Sequence, residues 1–250
     1  MEQTGRAVLV TGASRGIGRA VAAAFAAAGD RVAVHHRRSP DLAEQLRAAL
    51  PGQGHTVVRA DLADPAAVKD MVDAAAQALG GLDVLVNNAG IYTPHPILDS
   101  SYEHWQREWR RTLDTNLLGA ANATWCAVRH MRPGGRIVNI SSRGAFRGEP
   151  GQPAYGASKA GLNAMGQSLA LALAPHGIAV ATVAPGFVET DMTNEHLKPP
   201  RGDAVRAQSP FGRVARPEEI AAAVLWLASP EAEWASGAIL DLNGASYLRS

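Results

Sequence analysis

The chain has 250 residues, with 24 basic and 23 acidic side chains and a formal net charge of +1. That balance gives no reason to expect nucleic acid or an anionic membrane surface as the main partner, and the length fits one α/β domain better than two. The single cysteine, Cys126, leaves no internal disulfide; a cytoplasmic location follows, and Cys126 lies in an apolar run that reads as core. The start, MEQTGRAVLV, lacks the charged head, long apolar stretch and cleavage site of a secretory signal. The alanine-rich run 20–28 is too short to cross a bilayer.

Residues 6–11 form a short apolar run suited to a buried parallel strand. A helix over 16–28 ends at Gly29. Strand two follows at 31–35, then a helix over 41–50 stopped by Pro51 and Gly52, and strand three at 55–59. Pro65 opens a helix over 65–79 that Gly80 and Gly81 close. Strand four spans 82–87. A long helical region, 101–131, turns at Pro133 to Gly135 into strand five, 136–141. A helix over 155–174, strand six at 178–184, a helix over 217–227 and a last strand at 238–242 complete the chain. This alternation predicts one domain over 1–250, an α/β Rossmann-like doubly wound parallel sheet of about seven strands with helices on both faces. The least regular segment, 187–211, contains Pro199-Pro200 and reads as a substrate lid.

Strand one runs into Thr11-Gly12-Ala13-Ser14-Arg15-Gly16-Ile17-Gly18. Glycines at such a turn let backbone N–H groups approach a pyrophosphate, and the following helix offers its positive N-terminus to the anion. The spacing Gly-x-x-x-Gly-x-Gly differs from the commoner Gly-x-Gly-x-x-Gly. An NAD site places a carboxylate near the end of strand two; here the chain reads His35-His36-Arg37-Arg38. Arg15 and Arg37, with His36 beside them, are therefore assigned to the adenosine 2′-phosphate of NADP(H), which guanidinium forks suit. The adjacent histidines point to opposite faces of a strand, and no metal site is expected.

Tyr155 and Lys159 share one face of a helix. A nearby ammonium lowers the phenol's pKa, so such a pair can exchange a proton with an alcohol or carbonyl. Ser141 and Ser142 close strand five, Asn87 to Gly90 close strand four, Asn116 is a polar residue within a helical stretch, and Pro185-Gly186 follows strand six.

TGASRGIG, Asp61-Leu62, NNAG, Asn116, Ser142, Tyr155-Gly-Ala-Ser-Lys159 and PGFVET occur in this order over nearly the whole chain. In this the sequence resembles the short-chain dehydrogenase/reductase family, in its compact type similar to 3-oxoacyl-carrier-protein reductases. The resemblance implies that Asn116, Ser142, Tyr155 and Lys159 are the catalytic residues. Tyr155 is the acid/base, Lys159 lowers its pKa and holds the nicotinamide ribose, Ser142 orients the reacting oxygen and Asn116 supports a proton-relaying water. The interval to Tyr155 favours Ser142 over Ser141. It further implies that Gly12, Ser14, Arg15, Gly16, Ile17 and Gly18 hold the diphosphate and Asp61 and Leu62 the adenine. Asn88, Ala89 and Gly90 flank the ribose, and Pro185, Gly186, Val188 and Thr190 the nicotinamide. Homo-oligomers, tetramers or dimers, are the family's habit.

The leading expectation is an NADP(H)-dependent oxidoreductase acting on a ketone or 3-oxoacyl group. The alternatives are a dehydrogenase of a sugar, steroid or other secondary alcohol, and a dinucleotide sensor without turnover. Residues 169–176 carry no Arg or Lys, which the docking of an acidic carrier would use. Tyr92, Arg143, Phe146, Phe187 and Met192 are expected around the substrate. Arg143 either meets a substrate carboxylate or points into solvent, and His95 and His104 read as surface residues.

Overall fold

The computed structural model describes residues 5–249. Its seven strands are β1 (Ala7–Val10), β2 (Arg31–His36), β3 (Thr56–Arg59), β4 (Val84–Asn87), β5 (Arg136–Ile140), β6 (Ala179–Pro185) and β7 (Ile239–Leu242). They form one sheet in the order β3-β2-β1-β4-β5-β6-β7, with every pairing parallel. β1, β4 and β5 are buried along their whole length, as a parallel sheet covered on both faces requires. The order reverses between β1 and β4, and a crevice opens there at the carboxyl ends of the strands.

The helices are α1 (Gly16–Ala27), α2 (Pro40–Ala49), α3 (Pro65–Leu79), α4 (Tyr102–Leu113), α5 (Gly119–Ala127), α6 (Gly144–Arg147), α7 (Pro153–Leu173), α8 (Asn194–Leu197), α9 (Arg201–Arg206) and α10 (Pro217–Leu227). Two apolar layers flank the sheet. One gathers Val8, Val10, Phe25, Ile220 and Val224, so α1 and α10 cover that face. The other gathers Leu9, Leu85, Val72, Leu79 and Ala123, under α3 and α5. Cys126 is buried in the second layer and is a free thiol.

α3 starts and stops where the sequence places it. Asp64 accepts the N–H groups of Ala66 and Ala67, Pro65 takes the first turn, and Gly80 ends the helix at φ +76°. The predicted helix over 101–131 is instead three pieces. α4 passes into a π-helical turn, Asp114–Leu118, before α5 begins. The wider turn holds Asn116, whose Oδ1 accepts the Ile91 N–H at 2.8 Å while its Nδ2 donates to the Ile91 carbonyl at 3.0 Å. The segment expected as an irregular lid carries α8 and α9.

Candidate active site

The turn from β1 into α1 is tied down on three sides. Asn88 donates its amide to the carbonyls of Thr11 and Gly12, at 2.8 and 3.1 Å. Thr11 Oγ1 accepts the backbone N–H groups of Asn88 and Ala89, at 2.9 and 3.1 Å. His35 Nδ1 accepts the Gly12 N–H at 2.9 Å, so its Nε2 carries the proton and donates to the Ala60 carbonyl at 3.2 Å. Burial holds this imidazole neutral, with its pKa lowered to about 4.

Gly12 adopts φ +65°, and a Cβ there would stand 2.9 Å from the Ala89 Cα. A Cβ on Gly18 would overlap the Asn88 amide and the Gly12 carbonyl. These positions need glycine because the chain passes so close to itself. α1 has no capping side chain and no acid in its first turn, so its N–H groups are free for a diphosphate.

At the end of β2, Arg15 Nη2 donates to Ser39 Oγ at 2.5 Å and Arg37 Nη1 lies 3.6 Å from Asp61 Oδ2. His36 beside them is buried, and its Nδ1 has no protein partner. Two guanidinium groups and an open helix terminus around one cleft of about 680 Å³ fit a dinucleotide with an extra phosphate. Among the described residues no cluster of three His, Cys, Asp or Glu side chains could hold a metal ion.

At the other end of the cleft, α7 presents Tyr155 and Lys159. Lys159 is buried, donates Nζ to the Ile140 carbonyl at 2.7 Å, and has its pKa lowered by burial to about 8. Burial pushes the Tyr155 phenol up to about 12, and a hydrogen bond with Ser142 works in the opposite direction. This corrects the expectation that Lys159 lowers the phenol. The ammonium is turned to Ile140, 5.8 Å from the Tyr155 ring centroid, and desolvation of the phenolate prevails. Ser142 Oγ accepts the Gly144 N–H at 3.0 Å. The rival, Ser141, also borders the cleft, but its hydroxyl is committed to the Lys159 carbonyl at 3.3 Å.

Ser14, Ile17, Leu62, Gly90, Pro185, Gly186, Val188 and Thr190 line the same cleft, as do the other residues assigned to catalysis or cofactor except Asn116; of the expected substrate wall Tyr92 and Met192 border it, whereas Arg143, Phe146 and Phe187 do not. Asn116 stands behind the wall and braces Ile91 and Ser158.

Two further residues were placed differently by sequence, and a third was missed. Arg143 neither reaches the cleft nor points into solvent: it is 5 % exposed and bonded to Ser246 and Gln208. His95 is fully buried, accepts the Ala154 N–H at Nε2 (3.1 Å) and donates from Nδ1 to the Thr93 carbonyl (2.7 Å). It is a strut between the loop after β4 and the start of α7. Glu149, which sequence reasoning passed over, accepts the Tyr92 hydroxyl at 3.2 Å, and the Tyr92 ring meets Tyr155 edge-on at 4.8 Å. Burial pushes the Glu149 carboxyl up, against Tyr92, Arg143 and Arg147. Its only sequence signal is a lone acid within a stretch of small residues.

Residues 12–244 match the family described as Enoyl-(Acyl carrier protein) reductase. The 3-oxoacyl-[acyl-carrier-protein] reductase FabG of Vibrio cholerae is 38 % identical over 250 residues, covering 99 % of this chain and all of the relative. A short-chain dehydrogenase from Burkholderia cenocepacia, solved in complex with NADP, superposes with a TM-score of 0.89 at 36 % identity, over 98 % of this chain and 99 % of the other. The angucycline C-6 ketoreductase LanV with bound NADP gives 0.88 at 33 % identity, over 97 and 95 %.

Proposed function

Because this chain belongs to the short-chain dehydrogenase/reductase family and is an oxidoreductase of CH–OH groups, we propose that it is an NADPH-dependent reductase of a ketone or 3-oxoacyl group. The observation that carries the reading is the convergence of Ser142, Tyr155 and Lys159 at one end of a cleft whose other end holds Arg15 and Arg37. NADPH, when bound, supplies the hydride.

The chain's own groups do the rest. The Ser142 hydroxyl and the Tyr155 phenol meet one another and offer two hydrogen bonds to a carbonyl oxygen. The phenol, a firm O–H across the neutral range, gives its proton as the alkoxide forms. Lys159, its ammonium bonded to the Ile140 carbonyl, faces the cleft one helical turn from Tyr155 and holds the nicotinamide ribose, and Asn116, through Ile91 and Ser158, fixes the wall behind it. Gly12, Ser14, Gly16, Ile17 and Gly18 hold the diphosphate; Arg15, His36 and Arg37 hold the 2′-phosphate and Asp61 and Leu62 the adenine. Asn88, Ala89, Gly90, Pro185, Gly186, Val188 and Thr190 flank the ribose and nicotinamide. The NADP-bound neighbours support this cofactor assignment.

The same reading places the enzyme in the cytoplasm as a homo-oligomer. Trp125 on α5, Leu171 on α7 and Trp226 on α10 stand exposed and suit contacts between copies. No helix is long and apolar enough to cross a membrane among the described residues.

The test is nicotinamide fluorescence on adding NADPH or NADH, followed by loss of absorbance with ketones, aldehydes, 3-oxoacyl and enoyl thioesters. Tight NADPH binding and turnover of an oxo substrate are expected. Tyr155→Phe keeps binding and slows turnover on the order of a thousandfold. Equal binding of NADH sinks the phosphate assignment. Full turnover by Tyr155→Phe sinks the proton donor, and consumption of the enoyl thioester alone sinks the carbonyl assignment.

A further inference from the structure

Two anchors hold the start of α7, and they hold different residues. Lys159 is fixed from the end of β5: its Nζ bonds the Ile140 carbonyl at 2.7 Å and its own carbonyl accepts the Ser141 hydroxyl at 3.3 Å. Tyr155 lies one turn earlier, as the third residue of the helix. There the N–H groups find no partner within the helix itself, so the placing of Tyr155 depends on how that first turn is capped.

For α3 and α4 the cap is local. Asp64 accepts two N–H groups of α3, and Ser101 Oγ accepts the His104 N–H of α4 at 3.2 Å. The corresponding residue of α7, Gln152, makes no capping bond with its side chain, and Pro153 has no N–H to offer. The first amide of α7 is therefore that of Ala154. It donates to His95 Nε2 at 3.1 Å, 59 residues back in the chain. With Nε2 accepting, the ring proton sits on Nδ1 and goes to the Thr93 carbonyl at 2.7 Å. The backbone N–H of His95 donates to the Gly151 carbonyl at 2.9 Å. The imidazole is fully buried, with the Trp105 ring 5.7 Å away between centroids.

Both bonds of the imidazole land beside an aromatic residue of the cleft. Thr93 follows Tyr92, and Ala154 precedes Tyr155. The rings of Tyr92 and Tyr155 meet edge-on at 4.8 Å. Nδ1 alone would hold the loop and Nε2 alone the helix; only the two together hold one against the other. His95 itself does not border the cleft.

We propose that His95 is a positioning residue for the reaction: as the remote cap of α7, its two ring nitrogens hold the Tyr155 phenol in place against Ser142 and the Tyr92 ring. The proposal rests on the reading of Tyr155 as proton donor and adds the residue outside the cleft that keeps the donor aligned. A misplacement of about 1 Å in such a group costs on the order of a hundredfold in rate.

Asparagine and glutamine separate the two nitrogens. An Asn amide reaches the place of Nδ1 and keeps the bond to Thr93, but leaves the Ala154 N–H without an acceptor. A Gln amide oxygen reaches the place of Nε2 and restores the cap. His95→Asn should lower kcat about tenfold to a hundredfold with KM for NADPH nearly unchanged, and His95→Gln should keep most of the rate. Full kcat in His95→Asn, equal losses in the two variants, or a loss carried by KM for NADPH overturns the proposal. The phenol is read independently in protein made with 3-fluorotyrosine. Of its four tyrosine signals, that of Tyr155 is the one missing from Tyr155→Phe. His95→Asn should shift this resonance and His95→Gln should leave it. If His95→Asn does not fold, His95→Gln decides: a folded protein that has lost the rate or moved the resonance overturns the proposal, and one that keeps both upholds it. If no oxo compound consumes NADPH in the wild type, the hydride-transfer reading fails and the resonance alone judges the cap. A shift in His95→Asn that is absent in His95→Gln upholds it, and no shift in either overturns it.

Discussion

The two ends of the cleft handle charge in opposite ways. At the adenosine end Arg15 is exposed and Arg37 and Asp61 keep 28 and 44 % of their side-chain surface, so their charges remain close to water. At the reacting end Lys159 is buried and the Tyr155 phenol is desolvated, and both pKa values move by burial. Exposed charges recognise an anion cheaply and are screened by salt. Buried ones are costly, and they are what a proton transfer needs. Substitutions at the first end should therefore move affinity, and substitutions at the second should move turnover.

His35 breaks this division, because it is a buried group at the exposed end. An unfolded imidazole binds its proton near pH 6.5, the folded one only near 4. Between those values the unfolded chain holds more protons, so stability falls as the pH drops through that window. The full gap is worth about 3 kcal/mol. Urea midpoints from pH 7 to 4 should show this loss, with a shallower slope in His35→Asn. An unchanged slope would place the acid sensitivity elsewhere.

Arg37 obeys the division. Arg37→Ala should cut the preference for NADPH over NADH by about tenfold to a hundredfold, as expected of hydrogen bonds to a charged group. It should leave kcat at saturating NADPH nearly intact. The wild-type preference should shrink as salt rises from low to about 0.5 M. A preference that survives both changes would move recognition of the 2′-phosphate away from β2.

Lys159 sharpens the contrast from the other end. Its pKa of about 8 means that the cation is present below that pH and lost above it. The kcat/KM for reduction should then fall about tenfold per pH unit above 8, and Lys159→Arg, which stays charged, should push that limb beyond the measurable range. A wild-type profile flat to pH 10 would show that the ammonium is not required.

How much of this was legible beforehand depends on whether a residue's task is local. The glycines of the first turn, Pro65 and Gly80 around α3, and Tyr155 with Lys159 one helical turn apart are readable because neighbours in the chain decide their geometry. The π-helical turn at Asn116 is not, because its cause is the backbone of Ile91, 25 residues earlier. His35 read as half of an unneeded metal pair, and its real partners, Gly12 and Ala60, belong to other strand ends. His95 and Arg143 fail similarly: polar residues in loops suggest surface, whereas contacts 59 and 103 residues away bury them.

Tyr92 tests the finest grain of the comparison. Its hydroxyl donates to Glu149 while its ring stands at 88° to that of Tyr155. Tyr92→Phe keeps the ring and removes the hydrogen bond, leaving a half-buried carboxyl without its donor. One hydrogen bond of this kind is worth about 0.5–1.5 kcal/mol. If that bond steadies the ring beside the proton donor, kcat should fall about twofold to tenfold with KM for NADPH unchanged, the reverse of the pattern at Arg37. In the chain that keeps Tyr92, Glu149→Gln, whose amide oxygen still accepts the phenol O–H, should retain most of the wild-type rate. A change confined to KM for NADPH would mean that Tyr92 serves the cofactor, and the boundary between the recognising and reacting ends would shift past Gly90.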